Sequence, residues 1–329
     1  MPQAAGKPGS WLQPTRVALV LSAVFDAWLM VLFALGVEPA SRRIGYLDQT
    51  NVVAALLLVA VAIGGLAVYG VVLNDVLDVR HDRVFSPDRP LASGRVGRSQ
   101  AVIVALVALL ASAGAVLWMG MAAAVLWVLV AAAILFFNTV GKFIPSVGLL
   151  LLGLIRATVM FMPNVEAGFV WPLWLAMTHV VACSAIAYRL DGKRPPLSGV
   201  HIWALCGGWV FWTLAMVGWM GERQGLLLTE HPRIWLGPAI AAAVFAIIAW
   251  RKVADWPTLR RRRREAGEAL LRLSLLWLIL YDAMWLAGAG MWGCALATAA
   301  AFTVAVMLGR PTDAKRNDGA GQTASDHSP

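Results

Sequence analysis

Long runs of apolar residues alternate with short polar connections along almost the whole chain. Each run approaches the roughly 20 residues that a helix needs to cross the hydrocarbon core of a bilayer, and we interpret each as a membrane span. The runs cover residues 17–37, 52–73, 101–119, 121–138, 146–162, 170–188, 201–221, 234–250, 269–287 and 290–308. The final pair could instead be one span and a re-entrant segment. The pattern therefore predicts an all-α, polytopic membrane protein with nine or ten transmembrane helices.

The two ends of the chain are polar. Residues 1–14 form a short arm with Gly, Pro and Gln, and residues 310–329 are rich in Gly, Ser and Asp. Neither segment holds enough apolar side chains to build a core. The first apolar run lacks a small-residue cleavage site, which favours a span over a signal peptide. We predict one transmembrane domain over residues 15–309, between a mobile N-terminal arm and a disordered C-terminal tail.

Charged residues are scarce and unevenly placed. Hydrophobic residues make up 60% of the chain and charged residues 14%, a composition that excludes an ordinary soluble protein. The net charge of +9 comes from Lys and Arg in the connections, which is typical of topology signals rather than of nucleic-acid binding. Of the 27 Lys and Arg residues, Arg156 lies inside a span and four lie in loops opposite to the N-terminus: Arg42, Arg43, Arg223 and Arg233. This bias places the N-terminus and the loop after span two in the cytoplasm.

An acidic stretch directly follows span two. Residues 74–82 read N-D-V-L-D-V-R-H-D, and residues 86–95 read S-P-D-R-P-L-A-S-G-R. If the helix of span two continues through this stretch, Asn74, Asp78 and Asp82 lie on one helix face, about one turn apart. Oxygen ligands of this kind suit Mg²⁺, which can recruit a diphosphate and fills its other positions with phosphate oxygens and water. The alternative is a solvated acidic helix end that pairs with Arg80 and Arg83.

Three ionisable residues fall inside predicted spans. Asp26 lies in span one, Arg156 in span five and Asp282 in span nine. An unpaired charge at membrane depth is costly, so these side chains are expected to face the interior of the bundle. Arg156 then serves a polar cavity, or forms a structural ion pair with Asp26 or Asp282.

Other polar residues carry weaker signals. The cysteines Cys183, Cys206 and Cys294 lie within or beside spans and form no C-x-x-C pair, so we interpret them as small buried side chains. His179 and Cys183 are spaced like half of a metal site, without further ligands nearby in the sequence. The basic run Arg260–Arg264 is typical of a cytoplasmic loop that touches anionic lipid headgroups, although phosphate binding is an alternative.

The acidic stretch resembles the first aspartate-rich motif of the UbiA superfamily of intramembrane prenyltransferases. The family pattern is N-D-x-x-D-x-x-x-D followed by R-P-L-x-x-G, and residues 74–82 and 89–94 match each signature position. Lys142 matches a family lysine that follows span four and contacts phosphate. Arg156 matches the arginine of a Gly-x-x-Arg-like element, which begins here at Gly153.

The resemblance implies two four-helix units around a central, lipid-open cavity, with two aspartate-rich motifs facing each other. In such a site the metal is Mg²⁺, held by Asn74, Asp78 and Asp82. Asp78, Asp82 and Asp191 are the implied catalytic residues. The implied diphosphate-binding residues are Asn74, Lys142, Arg156, Arg189, Lys193 and Arg194.

The second motif departs from the family pattern. The family has D-x-x-x-D after span six, whereas residues 189–195 read R-L-D-G-K-R-P, with Asp191 as the carboxylate. Two carboxylates would hold a second Mg²⁺, but Arg189, Lys193 and Arg194 would hold phosphate oxygens directly and replace that metal. The tyrosine that usually precedes the family lysine is replaced as well. These departures indicate a divergent subgroup similar to the EboC proteins.

The resemblance implies Mg²⁺-dependent transfer of a prenyl group from a prenyl diphosphate to an aromatic or other lipophilic acceptor. The partners are then these two substrates and the surrounding lipids, with no nucleic acid. The reduced second motif favours an alternative, a non-catalytic isoprenoid (phosphate) binding or transport protein of the same fold. An ion-coupled transporter would use the intramembrane charges as a relay, but it leaves the acidic stretch unexplained.

Overall fold

The structure is a computed structural model that describes residues 14–87, 89–192, 195–223, 232–254 and 260–308. Regular structure in these parts is helical throughout, which confirms the all-α class. The helices are α1 (Pro14–Gly36), α2 (Gly45–Gln49), α3 (Val52–Phe85), α4 (Arg98–Met119), α5 (Met121–Thr139), α6 (Pro145–Phe161), α7 (Trp171–Leu190), α8 (Gly199–Glu222), α9 (Arg233–Ala254), α10 (Arg260–Gly288) and α11 (Trp292–Leu308). The predicted tail and all of the predicted arm except Pro14 lie outside the described residues, as do Lys193 and Arg194.

Eight helices of the described chain are long and apolar enough to cross a membrane, namely α1, α3, α4, α5, α7, α8, α9 and α10. The fifth and tenth predicted spans correspond to α6 and α11, which have 17 residues each. At about 1.5 Å per residue they reach roughly 25 Å, somewhat less than a hydrocarbon core of about 30 Å. Local thinning of the bilayer accommodates a helix of that length at modest cost. The count of nine to ten spans therefore stays a prediction.

Local sequence signals define where the helices begin and turn. The side chain of Asn51 accepts a hydrogen bond from the backbone N of Ala54 at 2.8 Å and so caps the start of α3. Pro145 stands at the start of α6, where its missing N–H costs nothing. Gly120 joins α4 to α5 at φ 115°, a backbone conformation that favours glycine. Such short connections make consecutive helices antiparallel neighbours.

Two hydrophobic cores meet at α1. Val31 and Ala34 belong to a core built with α2, α3, α4 and α5. Leu29 and Phe33, on the other side of α1, belong to a core built with α6 through α11. The N-terminal unit thus has the four long helices that the family resemblance implies. The C-terminal unit is larger than predicted, because α10 and α11 pack into it as well.

The outer surface of the bundle is apolar. Large hydrophobic side chains of α4 and α8 are well exposed, among them Leu110, Trp203 and Leu214. Soluble monomers rarely expose apolar surface on this scale. The hydrocarbon chains of a bilayer are the medium that covers it without penalty.

Gly153 allows α6 to approach α7 closely. A Cβ atom at this position would lie 2.5 Å from Cγ2 of Val181 and 3.0 Å from the backbone oxygen of Met177. Small residues let membrane helices pack backbone against backbone in this way. The contact fixes the position of α6 against α7, and with it the position of Arg156, about one turn further along α6.

Replacing Gly153 with alanine is expected to destabilise the protein by about 1–3 kcal/mol, because the added methyl group overpacks the α6–α7 contact. The control is Gly207→Ala on α8, where a Cβ atom would have no neighbour within 4 Å. That change should be neutral or slightly stabilising, since alanine favours a helix over glycine by roughly 1 kcal/mol. Thermal unfolding in one detergent measures both variants. Equal shifts in unfolding temperature for Gly153→Ala and Gly207→Ala would contradict the close contact at Gly153.

Candidate functional site

The predicted acidic face, Asn74, Asp78 and Asp82, lies on the last turns of α3. This helix continues without a break to Phe85, as the prediction of one shared face requires. Asn74 and Asp78 are half-buried, whereas Asp82 is buried. Because each step of four residues advances about 6 Å along the axis, a single ion can contact two adjacent members of the set but not all three.

Lys142 contacts Asp78 directly. The ammonium group of Lys142 donates a hydrogen bond to Oδ1 of Asp78, although the two residues are 64 positions apart. Lys142 sits in a short 3₁₀ turn between α5 and α6. The first turn of α6 packs tightly on that turn, since a Cβ atom at Gly148 would lie 2.6 Å from the backbone oxygen of Gly141. The fold thus brings together two residues that the family resemblance assigns to one site.

The loop after α3 folds back onto the acidic face. Nη1 of Arg89 donates to both carboxylate oxygens of Asp82, at 2.9 and 2.7 Å. Leu91 is buried in the N-terminal core, and Gly94 turns the chain at φ 75°. The R-P-L-x-S-G segment therefore closes a loop over Asp82 and supplies its cation. Sequence analysis did not identify Arg89 as this partner, although its place seven residues after Asp82 is a usable signal.

Asp75 has a partner on another helix. Its carboxylate accepts a hydrogen bond from Nη2 of Arg16, on the first turn of α1, at 2.6 Å. The pair joins a partly buried Arg16 to a buried Asp75, and so α1 to α3, at the end of the bundle that carries the acidic face. Sequence analysis did not include Arg16 or Asp75 in the site. The positive charge at the start of span one was the available signal.

The acidic face differs from a preformed metal cage. Asp75, Asp78 and Asp82 each pair with a different cation. Among the described residues, no group of three or more His, Cys, Asp or Glu side chains is placed to hold a metal ion. The half-buried oxygens of Asn74 and Asp78 are the pair that best fits Mg²⁺, with phosphate oxygens and water as the remaining ligands.

The predicted second motif lies at the same end of the bundle. Asp191 ends α7, and its Oδ1 is 2.8 Å from the position that a Cβ atom would take at Gly267 of α10. Arg189 is exposed, and Lys193 and Arg194 fall outside the described residues. α3 and α7 are connected through α1 and α6, because α1 packs on α3 and α6, and α6 packs on α7. The two motifs thus flank the same pair of central helices.

The charges inside the bundle form one buried cluster. Nε of Arg156 donates to Oδ2 of Asp26, and Asp282 is hydrogen-bonded to Asp26. The sequence left two alternatives for Arg156, a polar cavity or an ion pair with Asp26 or Asp282, and the structure shows an ion pair with Asp26. Arg156 lies about three turns into α6, roughly 15 Å from the end that carries Lys142. The structure thus places Arg156 apart from the acidic face with which the resemblance groups it.

His179 and Cys183 take part in a hydrogen-bonded core. Nε2 of His179 donates to the backbone oxygen of Ser274 at 3.1 Å, and the hydroxyl of Tyr281 donates to Nδ1 at 3.2 Å. The sulfur of Cys183 is 3.7 Å from Nε2. Because both ring nitrogens of His179 already have partners, the geometry favours a structural role over half of a metal site.

Sequence comparisons agree with the motif. Residues 44–191 match the model of the UbiA prenyltransferase family. A curated relative, the digeranylgeranylglyceryl phosphate synthase of Ignicoccus hospitalis, is 36% identical over 107 residues, which make up 32% of this chain and 30% of that protein. The match thus spans less than a third of the relative's length.

One solved structure shares the arrangement of helices. The apo structure of a UbiA homologue from Aeropyrum pernix K1 matches with a TM-score of 0.52 and 20% identity, over 79% of this chain and 96% of that one. A structure of digeranylgeranylglyceryl phosphate synthase has a TM-score of 0.49 and 15% identity, over 84% of this chain and 97% of that one. The apolar helices indicate an integral, multi-pass membrane protein, and residues 44–191 of this chain are similar to the UbiA prenyltransferase family.

Proposed function

We propose that the protein is an intramembrane prenyltransferase that moves a prenyl group from a prenyl diphosphate to an aromatic or other lipophilic acceptor. The observation that carries this proposal is the contact between Lys142 and Asp78. A phosphate-binding cation and a metal-binding carboxylate meet at one end of the bundle, where a diphosphate headgroup needs both. The apolar interior below that end suits the isoprenoid chain.

Mg²⁺ is the cofactor that the donor set supports. Asn74 and Asp78 would hold the ion, and Asp82, already held by Arg89, would support it from the next turn. When bound, Mg²⁺ neutralises charge on the diphosphate and makes it a better leaving group. Asp191 keeps its proposed place on the opposite side of the substrate, with Arg189, Lys193 and Arg194 as diphosphate ligands.

The ion pairs at this end can exchange partners when the substrate binds. Lys142 and Arg89 neutralise Asp78 and Asp82 in the structure described here. A bound diphosphate would offer these cations its own oxygens and would free Asp78 to hold the metal together with Asn74. Charge-assisted hydrogen bonds from both cations then stabilise the negative charge that grows on the leaving diphosphate.

The reaction balances without a further reactant. The allylic carbon–oxygen bond breaks, and the bonding electrons leave with the diphosphate. A nucleophilic carbon or heteroatom of the acceptor then bonds to the allylic carbon, and the acceptor loses a proton. The products are the prenylated acceptor, diphosphate and a proton.

The charge bias of the connections supports a cytoplasmic position for the acidic face. This orientation would place the N-terminus, Lys142 and the loop after α7 on the same cytoplasmic side. A water-soluble diphosphate headgroup would then reach the site from the cytoplasm. The prenyl chain and the acceptor would enter sideways from the lipid.

Purified protein in lipid nanodiscs tests the proposal. A labelled geranylgeranyl diphosphate is a suitable first donor because the name of the curated relative contains that group. With Mg²⁺ and a membrane lipid extract as the source of acceptors, we expect diphosphate release and label in a new lipid, both lost in EDTA. Mg²⁺-dependent binding without release, for prenyl diphosphates of several lengths, would instead support a non-catalytic isoprenoid phosphate-binding protein. The existing carboxylate–cation pairs are the observation that favours that second candidate.

A further inference from the structure

The buried cluster Asp26, Arg156 and Asp282 lies near the middle of the membrane. Asp26 follows Arg16 by nearly three turns of α1, and Arg156 lies about three turns into α6, so both are roughly 15 Å below the end that carries the acidic face. That depth is half of a hydrocarbon core of about 30 Å. Intramembrane charges are costly and usually mark a site that handles a polar group.

The cluster is neutral when one of its two carboxyl groups keeps a proton. Asp26 and Arg156 form an ion pair, and a hydrogen bond joins the carboxyl groups of Asp26 and Asp282. A hydrogen bond between two carboxyl groups needs a proton, which leaves one negative charge to match the guanidinium. A second buried negative charge without a partner would cost several kcal/mol.

Two atoms of this balanced cluster lack hydrogen-bond partners. Nη2 of Arg156 and Oδ2 of Asp282 are buried and unpaired. Nη2 of Arg156 can only donate a hydrogen bond. Oδ2 of Asp282 is free to accept one, because the other oxygen of this carboxyl group engages Asp26. Elsewhere in the described chain, the buried unpaired side-chain atoms include those of Asn164, Trp171 and Trp235, which lie toward the other end of the bundle. Among the residues that the structure describes, this cluster alone combines an unpaired donor and an unpaired acceptor near mid-membrane.

We propose that Arg156 and Asp282 bind the hydroxyl group of an uncharged, elongated lipophilic acceptor. A hydroxyl both accepts from Nη2 of Arg156 and donates to Oδ2 of Asp282, whereas an ether or ketone satisfies Arg156 alone. An anionic group is disfavoured, because Asp26 already matches the guanidinium charge. Since both atoms are enclosed, the hydroxyl enters with a rearrangement of neighbouring side chains. The role as acceptor site rests on the proposed prenyl transfer.

The depth of the proposed hydroxyl site also determines how long the acceptor must be. Its reacting atom must reach the allylic carbon, just below the diphosphate at Lys142, while its hydroxyl reaches Arg156. The distance between these levels is on the order of 10 Å, given the 15 Å depth of the cluster and the few ångströms occupied by the diphosphate. Two or three linked or fused rings span that distance.

The binding test uses three probes of one shape: 4-phenylphenol, its methyl ether 4-methoxybiphenyl, and biphenyl-4-carboxylate. Purified protein in nanodiscs is dialysed against each probe, with empty nanodiscs of the same lipid as the control for partition. We expect the phenol to bind about 10-fold more tightly than the ether or the carboxylate, which is the effect of one buried hydrogen bond of about 1.4 kcal/mol. Equal affinity for the phenol and the ether overturns the proposal.

Two variants of Asp282 test whether the hydroxyl group of the probe binds at this residue. Asp282→Leu removes the acceptor but leaves the Asp26–Arg156 pair, so the preference for the phenol should disappear. Asp282→Asn keeps a carbonyl oxygen for the probe and an N–H for Asp26, so the preference should remain. Thermal unfolding and Mg²⁺-dependent binding of prenyl diphosphate check that both variants fold. A preference that survives in Asp282→Leu overturns the proposal.

The binding test needs no turnover, so it separates the two proposals. A phenol preference that depends on Asp282, in a protein without prenyl transfer, would leave the hydroxyl site in place and remove the proposed reaction. Prenyl transfer without a preference for the phenol would keep the proposed reaction and remove the hydroxyl site.

Discussion

Asp78→Asn is expected to lower kcat/KM for prenyl transfer by at least about 100-fold, the usual loss when one group that stabilises developing charge is removed. The amide keeps the volume of the side chain but loses the charge that Mg²⁺ and Lys142 require. The Mg²⁺ concentration for half-maximal rate should also rise by about 10-fold or more. Rates of diphosphate release, measured across a Mg²⁺ titration, give both quantities.

The matched control is Asp48→Asn, an equal change in charge at an exposed residue of α2, at the opposite end of the bundle. It should leave both quantities unchanged. Lys142→Met added to Asp78→Asn should lower the rate by less than Lys142→Met does alone, because residues that act as one unit are not additive. An unaltered rate and Mg²⁺ requirement in Asp78→Asn would remove Asp78 from the site.

The largest effect on stability is expected from the double variant Asp26→Asn/Asp282→Asn. It leaves the buried guanidinium of Arg156 without a carboxylate and should cost about 3–5 kcal/mol. Each single variant should cost much less, because the remaining acid can give up its proton and pair with Arg156. The two changes should therefore be strongly non-additive. Unfolding of all four proteins in the same detergent measures this coupling.

Arg156→Met provides the decisive control. Added to the double variant, it removes the unmatched charge and replaces it with an apolar side chain of similar length, so much of the lost stability should return. A double variant no less stable than the sum of the single ones would show that the three groups act independently. It would also remove the charge balance on which the proposed hydroxyl site depends.

The spans could be predicted because membrane helices follow local rules. Predicted runs such as 52–73 and 121–138 lie within α3 and α5, since a lipid-facing helix must be apolar over its whole length. The shared acidic face required that the helix of span two continue through residues 74–82, and α3 does continue, because no proline or glycine interrupts this stretch. The number of helices in each of the two units was less predictable. No local sequence pattern in residues 260–308 predicts that α10 packs on α1, α7 and α9.

The candidate site was predicted in part. The residues of the acidic face and Lys142 were named from the motif, yet their mutual contact needed the fold. Arg16 and Arg89 were not named as partners, because the start of α1 and the loop after α3 reach the acidic face only when the helices pack. The need of Arg156 for a buried carboxylate followed from its position in a span, whereas the choice of Asp26 did not.

The sequence by itself determined the helices, their apolar surfaces and the oxygen ligands on one face of α3, because each depends on residues within a few turns and on the surrounding lipid or water. Only the tertiary structure decided which cation meets which carboxylate. The pairs Lys142–Asp78 and Arg156–Asp26 join residues 64 and 130 positions apart. Their formation depends on how distant helices pack, and that packing is set by the summed contacts of the whole bundle rather than by any local pattern.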